Sequence, residues 1–491
     1  MKKTIIIPLS ALFFIFLFGP VKAQTSDFAM DLAQDYDQFR NNRIDTRRFK
    51  HSDLFPLIEK YRDNPVFEIN KVGESIEGRS LNLISLGEGD TDVFLWSQMH
   101  GDESTATMAI LDILNFFESE EFEQERTLML ENLKIHFLPM LNPDGAELFT
   151  RRNALGIDVN RDALRLQSSE SRTLKRIRDS LDADFGFNLH DQSRYYNAER
   201  TSKPATISFL APAFNYEKDI NEVRSRAMKL IVVMNEVLQE IAPGQVGRYN
   251  DDFEPRAFGD NIQKWGTSTV LIESGGYPED REKQEIRRLN FVAILSALHS
   301  IAIKSYQDEI IDDYENIPNN DRMLFDLKLK EVTYELEGNN YTLDLGINRN
   351  ENDLKDNTEF YYSSQIVDQG DLSTSYGYES FDASGYVLDF GKIYSVNLQD
   401  TSALKKLDFT TLLKEGVGYV KLKNLPEDIQ YSNYPVNLVS EDFQINTNLW
   451  PGRNATFFLK KDGKIEYAVI NGFLVKPEEV SEKLCNSLIL D

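Results

Sequence analysis

Asp92-Val93-Phe94-Leu95-Trp96-Ser97-Gln98-Met99-His100-Gly101-Asp102-Glu103 is the stretch from which the fold can be read. Val93 to Trp96 is a short apolar run of the kind that forms a buried strand. It runs straight into His100-Gly101-Asp102-Glu103. From Glu103 to Phe117 the apolar residues Met108, Ile110, Leu111, Ile113, Leu114 and Phe117 recur at helical spacing. A strand, a glycine turn and an amphipathic helix make one repeat of an α/β fold, with two metal-ligand residue types at the turn.

Outward from this stretch the alternation continues. Leu133–Leu138 reads as a strand entering Asn142-Pro143-Asp144-Gly145, a strong turn signal. Phe185–His190, Ile207–Leu210 and Thr269–Glu273 read as further strands, and 221–241 and 290–306 as helices. The expected architecture is a mixed, eight-stranded-type α/β sheet flanked by helices. His100, Asn142, His190 and Glu273 all fall at the C-terminal ends of predicted strands, the edge where open α/β sheets bind ligands.

His100, Glu103 and His190 supply two imidazoles and a carboxylate, with Glu273 left over. A catalytic zinc site uses such an inventory: three protein ligands, an open position and a nearby base. The spacing of His100 and Glu103 brings both to one side as a helix begins. The chain has five histidines; His51, His136 and His299 are read as structural or surface residues.

The turn at Asn142–Gly145 leads into Arg151-Arg152-Asn153-Ala154-Leu155-Gly156-Ile157-Asp158-Val159-Asn160-Arg161. An HxxE pair, NPDG, G-x-D-x-N-R, a distant His and a late Glu occur in order. This set resembles the zinc carboxypeptidase family, the carboxypeptidase A-like metallopeptidases, over roughly 53–277. Val72–Ser80 resembles that family's entry strand and turn. The resemblance implies one zinc ion held by His100, Glu103 and His190. It implies Glu273 as the general base that activates water, and Asn160 with Arg161 at the substrate's terminal carboxylate. Arg151 matches the arginine that polarises the scissile carbonyl, with its neighbour Arg152 as the alternative. The family's active-site tyrosine finds its nearest counterpart in Tyr249. A side-chain specificity position falls within 256–260, where Phe258 would favour apolar side chains and Arg256 or Asp260 charged ones. His190 is followed by Asp191-Gln192, where many members carry Ser and an aromatic residue.

The function implied is removal of C-terminal residues from peptides that carry a free carboxylate. A zinc amidohydrolase, deacylase or cell-wall peptide hydrolase of the same fold, and a catalytically silent surface binding protein, are the alternatives. The latter is disfavoured because burying three ligands, a base and an arginine is costly without use.

Beyond about residue 306 the texture changes. Residues 311–324 read as an acidic linker, and 325–491 as short alternating runs separated by turn residues. These predict an antiparallel, β-sandwich-like accessory domain, a candidate for wall or glycan contact. At the other end, Met-Lys-Lys, the apolar run Ile5–Phe18 and Val21-Lys22-Ala23 describe a secretory signal peptide over 1–23. The catalytic unit is thus expected over 24–310, exported to a periplasmic or extracellular location, with no membrane span after cleavage. A single cysteine, Cys485, permits no internal disulfide. The formal net charge of −26 becomes −29 once the three lysines of the leader are removed, and such a chain repels nucleic acid.

Overall fold

The computed structural model describes residues 19–354, 356–480 and 487–490. The expected leader up to residue 18, and Cys485, lie outside the described residues. The described residues divide into two compact units, one of 19–199 with Lys203–Asp321 and one of Arg200–Ser202 with those from Arg322 onward.

The first unit is built on strands β1 (Glu68–Glu74), β2 (Ser80–Leu86), β3 (Thr91–Ser97), β4 (Leu133–Leu138), β5 (Phe185–Asp191), β6 (Asn197–Ala198), β7 (Ile207–Leu210), β8 (Val246–Arg248) and β9 (Ser268–Ser274). All but β6 form one sheet in the order β1-β2-β4-β3-β5-β9-β7-β8. Strands β4, β3, β5 and β9 are parallel, while β1–β2, β2–β4 and β7–β9 are antiparallel. The sheet is therefore mixed, as expected. Its central strands are buried: Val93, Phe94, Leu95, Trp96, Phe187, Leu189, Val270 and Ile272 have no exposed surface. Burial on both faces explains why they read as apolar runs without alternation.

Helices α1 (Gly19–Asp35), α2 (His51–Glu59), α3 (Thr105–Glu118), α4 (Glu123–Asn132), α5 (Pro143–Glu147), α6 (Ser169–Leu181), α7 (Glu222–Ile241), α8 (Phe258–Lys264) and α9 (Gln284–Ile303) flank this sheet. Among the described residues, α9 alone is long and apolar enough to cross a membrane, and 89% of its apolar window is buried in the fold. It is a core helix here. It also carries Arg287, whose Nε and Nη2 donate to the Asp112 carboxylate of α3 at 2.6 and 2.5 Å, with both side chains fully buried. The same arginine reaches the carbonyls of Asn41 and Ile44, and Tyr36 Oη donates to Asp112 at 2.8 Å. One buried ion pair thus ties the segment before α2 to two core helices.

Two turn motifs brace one another. A Cβ at Gly101 would lie 2.0 Å from the Gly145 carbonyl carbon, so the backbones of His100-Gly101 and Pro143–Gly145 touch. Asn142 caps α5 by accepting from the Gly145 N–H at 2.9 Å, and its own N–H donates to the Gln98 carbonyl at 3.0 Å. Asp144, nearly buried, accepts from Ser75 Oγ at 2.6 Å, Glu77 N at 3.0 Å and Arg79 Nη1 at 2.7 Å. The NPDG turn therefore fixes the β1–β2 turn on one side and the His100 turn on the other.

Residues 311–324 do not form the linker expected from their acidity. A helix covers Ile311–Glu315, and Asn320–Asp321 pairs with β6 inside the first unit. Tyr314 is 1% exposed and its hydroxyl accepts from the Ala211 N–H at 3.2 Å. The acidic residues of this stretch dominated the sequence pattern, while Tyr314 and Ile317 are what the fold buries.

The second unit is rich in strands. Leu324–Leu336, Asn339–Asp353 and Phe360–Gly370 pair antiparallel in sequence, as do Phe457–Lys461, Lys464–Ile470 and Phe473–Val475. Val387–Asp389 also pairs antiparallel with Phe457–Lys461, and Tyr431–Ser432 with Ser487–Leu490, but other pairs are parallel. Tyr376–Asp382 runs alongside Leu324–Leu336, and Val417–Lys421 alongside Asn437–Val439. A short helix, Phe409–Lys414, precedes Val417–Lys421. Parallel neighbours need crossover connections rather than hairpins; the strands Asn339–Asp353 and Phe360–Gly370 lie within the connection from Leu324–Leu336 to Tyr376–Asp382, and residues 422–436 join Val417–Lys421 to Asn437–Val439.

Candidate functional site

His100, Glu103 and His190 meet at the C-terminal edge of the sheet. Their nearest ligand atoms lie within 4.8 Å of one another. Glu103 Oε1 is 2.8 Å from His100 Nδ1, and Glu103 Oε2 is 2.6 Å from His190 Nδ1. His190 closes β5. His100 follows β3 through Gln98, whose φ of 53° is left-handed. Helix α3 begins only at Thr105, so His100 and Glu103 converge through a turn, with the Glu103 N–H donating to the His100 carbonyl at 3.2 Å, and not through a helical face.

The donor set fits a zinc ion. Two imidazoles point their Nδ1 atoms, and one carboxylate its oxygens, toward a common point, and the histidines are buried to 2% and 3% exposure. Behind His100, Nε2 lies 3.1 Å from Asp158 Oδ1. A proton on Nε2, donated to that carboxylate, leaves the Nδ1 lone pair facing inward, which is the usual outer partner of a metal-binding histidine. The His190 Nε2 atom lies 3.4 Å from Asn160 Nδ2.

The charge states reflect this crowding. Burial alone would raise Glu103, but His100 and His190 on either side hold it well below the ordinary carboxylate range. Burial opposes a charge on His100, yet Glu103 and Asp158 outweigh it and push the ring up to about 9. In His190 burial wins over Glu103 and the ring is pushed down. Asp158 is pulled down despite its burial, chiefly by its bond to His100.

Glu273 lies opposite, at the end of β9, in register with His190 across the β5–β9 pair. It is 7% exposed, and its Oε2 is buried with no hydrogen-bond partner. Burial first, then the nearby Glu103 charge, push it well above the usual carboxylate range. A buried carboxyl left without a partner beside a cluster of metal-ligand atoms has the environment of a general acid–base.

Three arginines were candidates here, and the structure separates them. Arg151 enters the cluster: Nε donates to Asp158 Oδ2 at 3.0 Å, and Nη1 lies 3.3 Å from Glu103 Oε1. Its neighbour Arg152 is exposed and donates to the Gly156 carbonyl at 2.9 Å. Arg161 lies at the rim, half-exposed, with Nε 3.5 Å from Glu254 Oε2. Glu254 is itself held by Arg256 at 3.0 and 3.1 Å. Asn160 serves as a support: Oδ1 accepts from the Phe258 N–H at 2.8 Å while Nδ2 faces His190.

Within 256–260, Phe258 is fully buried and packs in a core cluster with Trp96 and Val159. Its ring is scaffold, not pocket wall. Arg256 is exposed, and Asp260, pushed up to about 6 mainly by burial, accepts from the Glu254 N–H at 2.9 Å. Tyr249, just past β8, packs edge-on against Tyr196 with centroids 6.2 Å apart. Burial, then the charge of Glu273, raise its hydroxyl.

The remaining histidines have other partners. His136 sits between Ser85 Oγ at 2.8 Å and Asp92 Oδ1 at 3.0 Å. His51 Nε2 lies 3.1 Å from the Ser80 carbonyl. His299 stacks near Phe28. One site residue, Asp158, went unassigned in the sequence reading. Its signal was its place in the G-x-D-x-N-R segment, where only Asn160 and Arg161 were given roles.

A parallel-centred α/β sheet thus carries at its C-terminal edge a His–Glu–His cluster able to hold a metal ion. Residues 59–206 match the family model described as zinc carboxypeptidase. The chain is 27% identical over 139 residues to the carboxypeptidase N catalytic chain of Homo sapiens, covering 23% of this chain and 30% of that protein. It is 27% identical over 108 residues to carboxypeptidase SOL1 of Arabidopsis thaliana, covering 21% of this chain and 22% of that one. A metallo-carboxypeptidase structure from Burkholderia cenocepacia superposes with a TM-score of 0.42 at 16% identity, over 52% of this chain and 70% of the other. The likeness to zinc carboxypeptidases is thus carried by residues 59–206. The chain spans less than a third of the length of these two curated relatives, and Glu273 lies beyond the family-model match.

Proposed function

We propose that this protein is a zinc metallocarboxypeptidase that releases the C-terminal residue of peptides with a free carboxylate. The observation that carries the reading is the juxtaposition of the His100–Glu103–His190 cluster with the unpartnered Glu273 carboxyl, across paired strand ends. One zinc ion held by those three residues would supply a Lewis acid that polarises a carbonyl and acidifies water. Glu273 takes the proton of the attacking water on Oε2 and passes it to the departing amine. The guanidinium of Arg151, beside the cluster, donates to the carbonyl oxygen as that oxygen gains charge. Arg161 offers its planar fork to the substrate's carboxylate, and Asn160 keeps one amide hydrogen for the same group while supporting His190. Asp158 holds His100 in the tautomer a metal requires.

The leader-like pattern of residues 1–23 supports export to a periplasm or the cell exterior as the setting of this activity.

The test is Glu273→Gln. It replaces the carboxylate by a near-isostere that cannot take a proton and touches no zinc-ligand atom. Zinc stoichiometry measured by atomic emission is expected to stay at one, while kcat falls by about 10²–10⁴-fold. A variant with wild-type kcat would refute the role of Glu273.

A further inference from the structure

Asp191 directly follows the metal-ligand candidate His190, and the structure gives it three partners. Its backbone N–H donates to Glu103 Oε2 at 3.2 Å. Its Oδ2 accepts from Thr105 Oγ1 at 2.6 Å and from Lys283 Nζ at 3.0 Å. Lys283 Nζ also donates to the Ser274 carbonyl at 2.9 Å. The pair is shielded, with 8% of the Asp191 side chain and 12% of the Lys283 side chain exposed.

These bonds join the three places that matter. Asp191 follows His190 on β5, Ser274 follows Glu273 on β9, and Thr105 opens α3 two residues after Glu103. Lys283 sits just before α9 with φ of 53°, the left-handed region that a long side chain enters only when something compensates. That backbone conformation is retained where the side chain bridges two strand ends.

We propose that Lys283 and Asp191 form a brace behind the site. They are positioning residues that hold the Glu103 carboxylate at the metal-ligand cluster and keep the β9 end carrying Glu273 in register with it. The proposal rests on the zinc reading above. The bonds of both residues run to the Glu103 carboxylate, Thr105 and the Ser274 carbonyl, so the brace acts on metal affinity and on turnover rather than on substrate binding.

The experiment compares wild type, Lys283→Met, Lys283→Arg and Thr105→Val. Zinc affinity is measured by competition with a chromogenic chelator, kcat and KM on a free-carboxylate peptide, and melting of the zinc-free protein. Lys283→Met is expected to weaken zinc binding by ~10–100-fold, the usual effect of losing an outer partner, and to lower kcat with little change in KM. Lys283→Arg restores most of both, because the charge and donors return. Thr105→Val, which removes one hydroxyl, gives a smaller loss of zinc affinity and serves if Lys283→Met does not fold. Wild-type zinc affinity in Lys283→Met or Thr105→Val, even with a lowered melting point, would overturn the brace. Weakened zinc binding in the variants alongside a wild type that cleaves no peptide would uphold the brace and refute the function. A wild type that binds no zinc would overturn both.

Discussion

Asp158 and Arg151 are the residues whose positions most change the reading of the site. Asp158 holds His100 by its outer nitrogen and Arg151 by its guanidinium, linking a metal-ligand candidate to the proposed carbonyl-binding cation. Asp158→Asn keeps the shape but loses the charge that orients His100. Zinc affinity is expected to fall by ~10–100-fold, read by chelator competition; unchanged affinity would remove Asp158 from the outer shell. Arg151→Ala should lower kcat by ~10²–10³-fold, the range for losing one oxyanion donor, whereas Arg152→Ala should stay near wild type. Steady-state kinetics of the pair decide between two neighbours that the sequence left as alternatives. The sequence could not choose because adjacent residues in a loop have no periodicity; one faces the cluster and the other the solvent only once the 151–158 loop is closed.

At the scale of elements, the strand ends and the Asn142–Gly145 turn were legible, and what that turn supports was not. His190 and Glu273 end apolar runs long enough to be strands, and β5 and β9 pair in the register that sets them side by side. The start of α3 was read two residues early, because Ser104 and Thr105 fit either a turn or a first helical turn. The role of NPDG was also hidden: its asparagine and aspartate have the chemistry of a site yet act as turn supports. Gly101→Ala tests that support. The added methyl would meet the Gly145 backbone, which cannot rotate away as a side chain can. Stability is expected to drop by about 3 kcal/mol, at the upper end of overpacking effects, measured by denaturant unfolding. A loss under about 0.5 kcal/mol would mean that the two turns are not in contact.

Two features of the molecule as a whole govern its stability. The buried Asp112–Arg287 pair joins α3, α9 and the segment around Asn41. Arg287→Leu leaves a carboxylate in the core without its partner, and breaking such a pair costs about 3–5 kcal/mol. Chemical denaturation would show it, and a change under about 1 kcal/mol would contradict the pair's role. His299, pushed by burial from 6.5 down to about 4, sets an acid limit. Above pH 6.5 the ring is neutral in both folded and unfolded chains and nothing is lost. As the pH falls from 6.5 toward 4 the unfolded chain takes up the proton first, so stability declines, by about 3 kcal/mol at pH 4. His299→Gln should flatten that part of the stability profile. The change in texture near residue 306 falls short of the boundary between the two units at Asp321, and the stretch 311–324 was misassigned. Charge counts more heavily than one buried tyrosine in a linear pattern, and Tyr314 is what anchors it.

The central claim is hydrolysis next to a free carboxylate by a zinc-dependent site. Its most direct test uses two peptides identical except that one ends in a carboxylate and the other in an amide. They are incubated with the zinc-loaded protein, the chelated protein and the chelated protein after zinc is returned. The account predicts release of the terminal residue from the free acid alone, loss of that release on chelation, and recovery with zinc. Equal cleavage of both peptides, or cleavage that survives complete zinc removal, would contradict it.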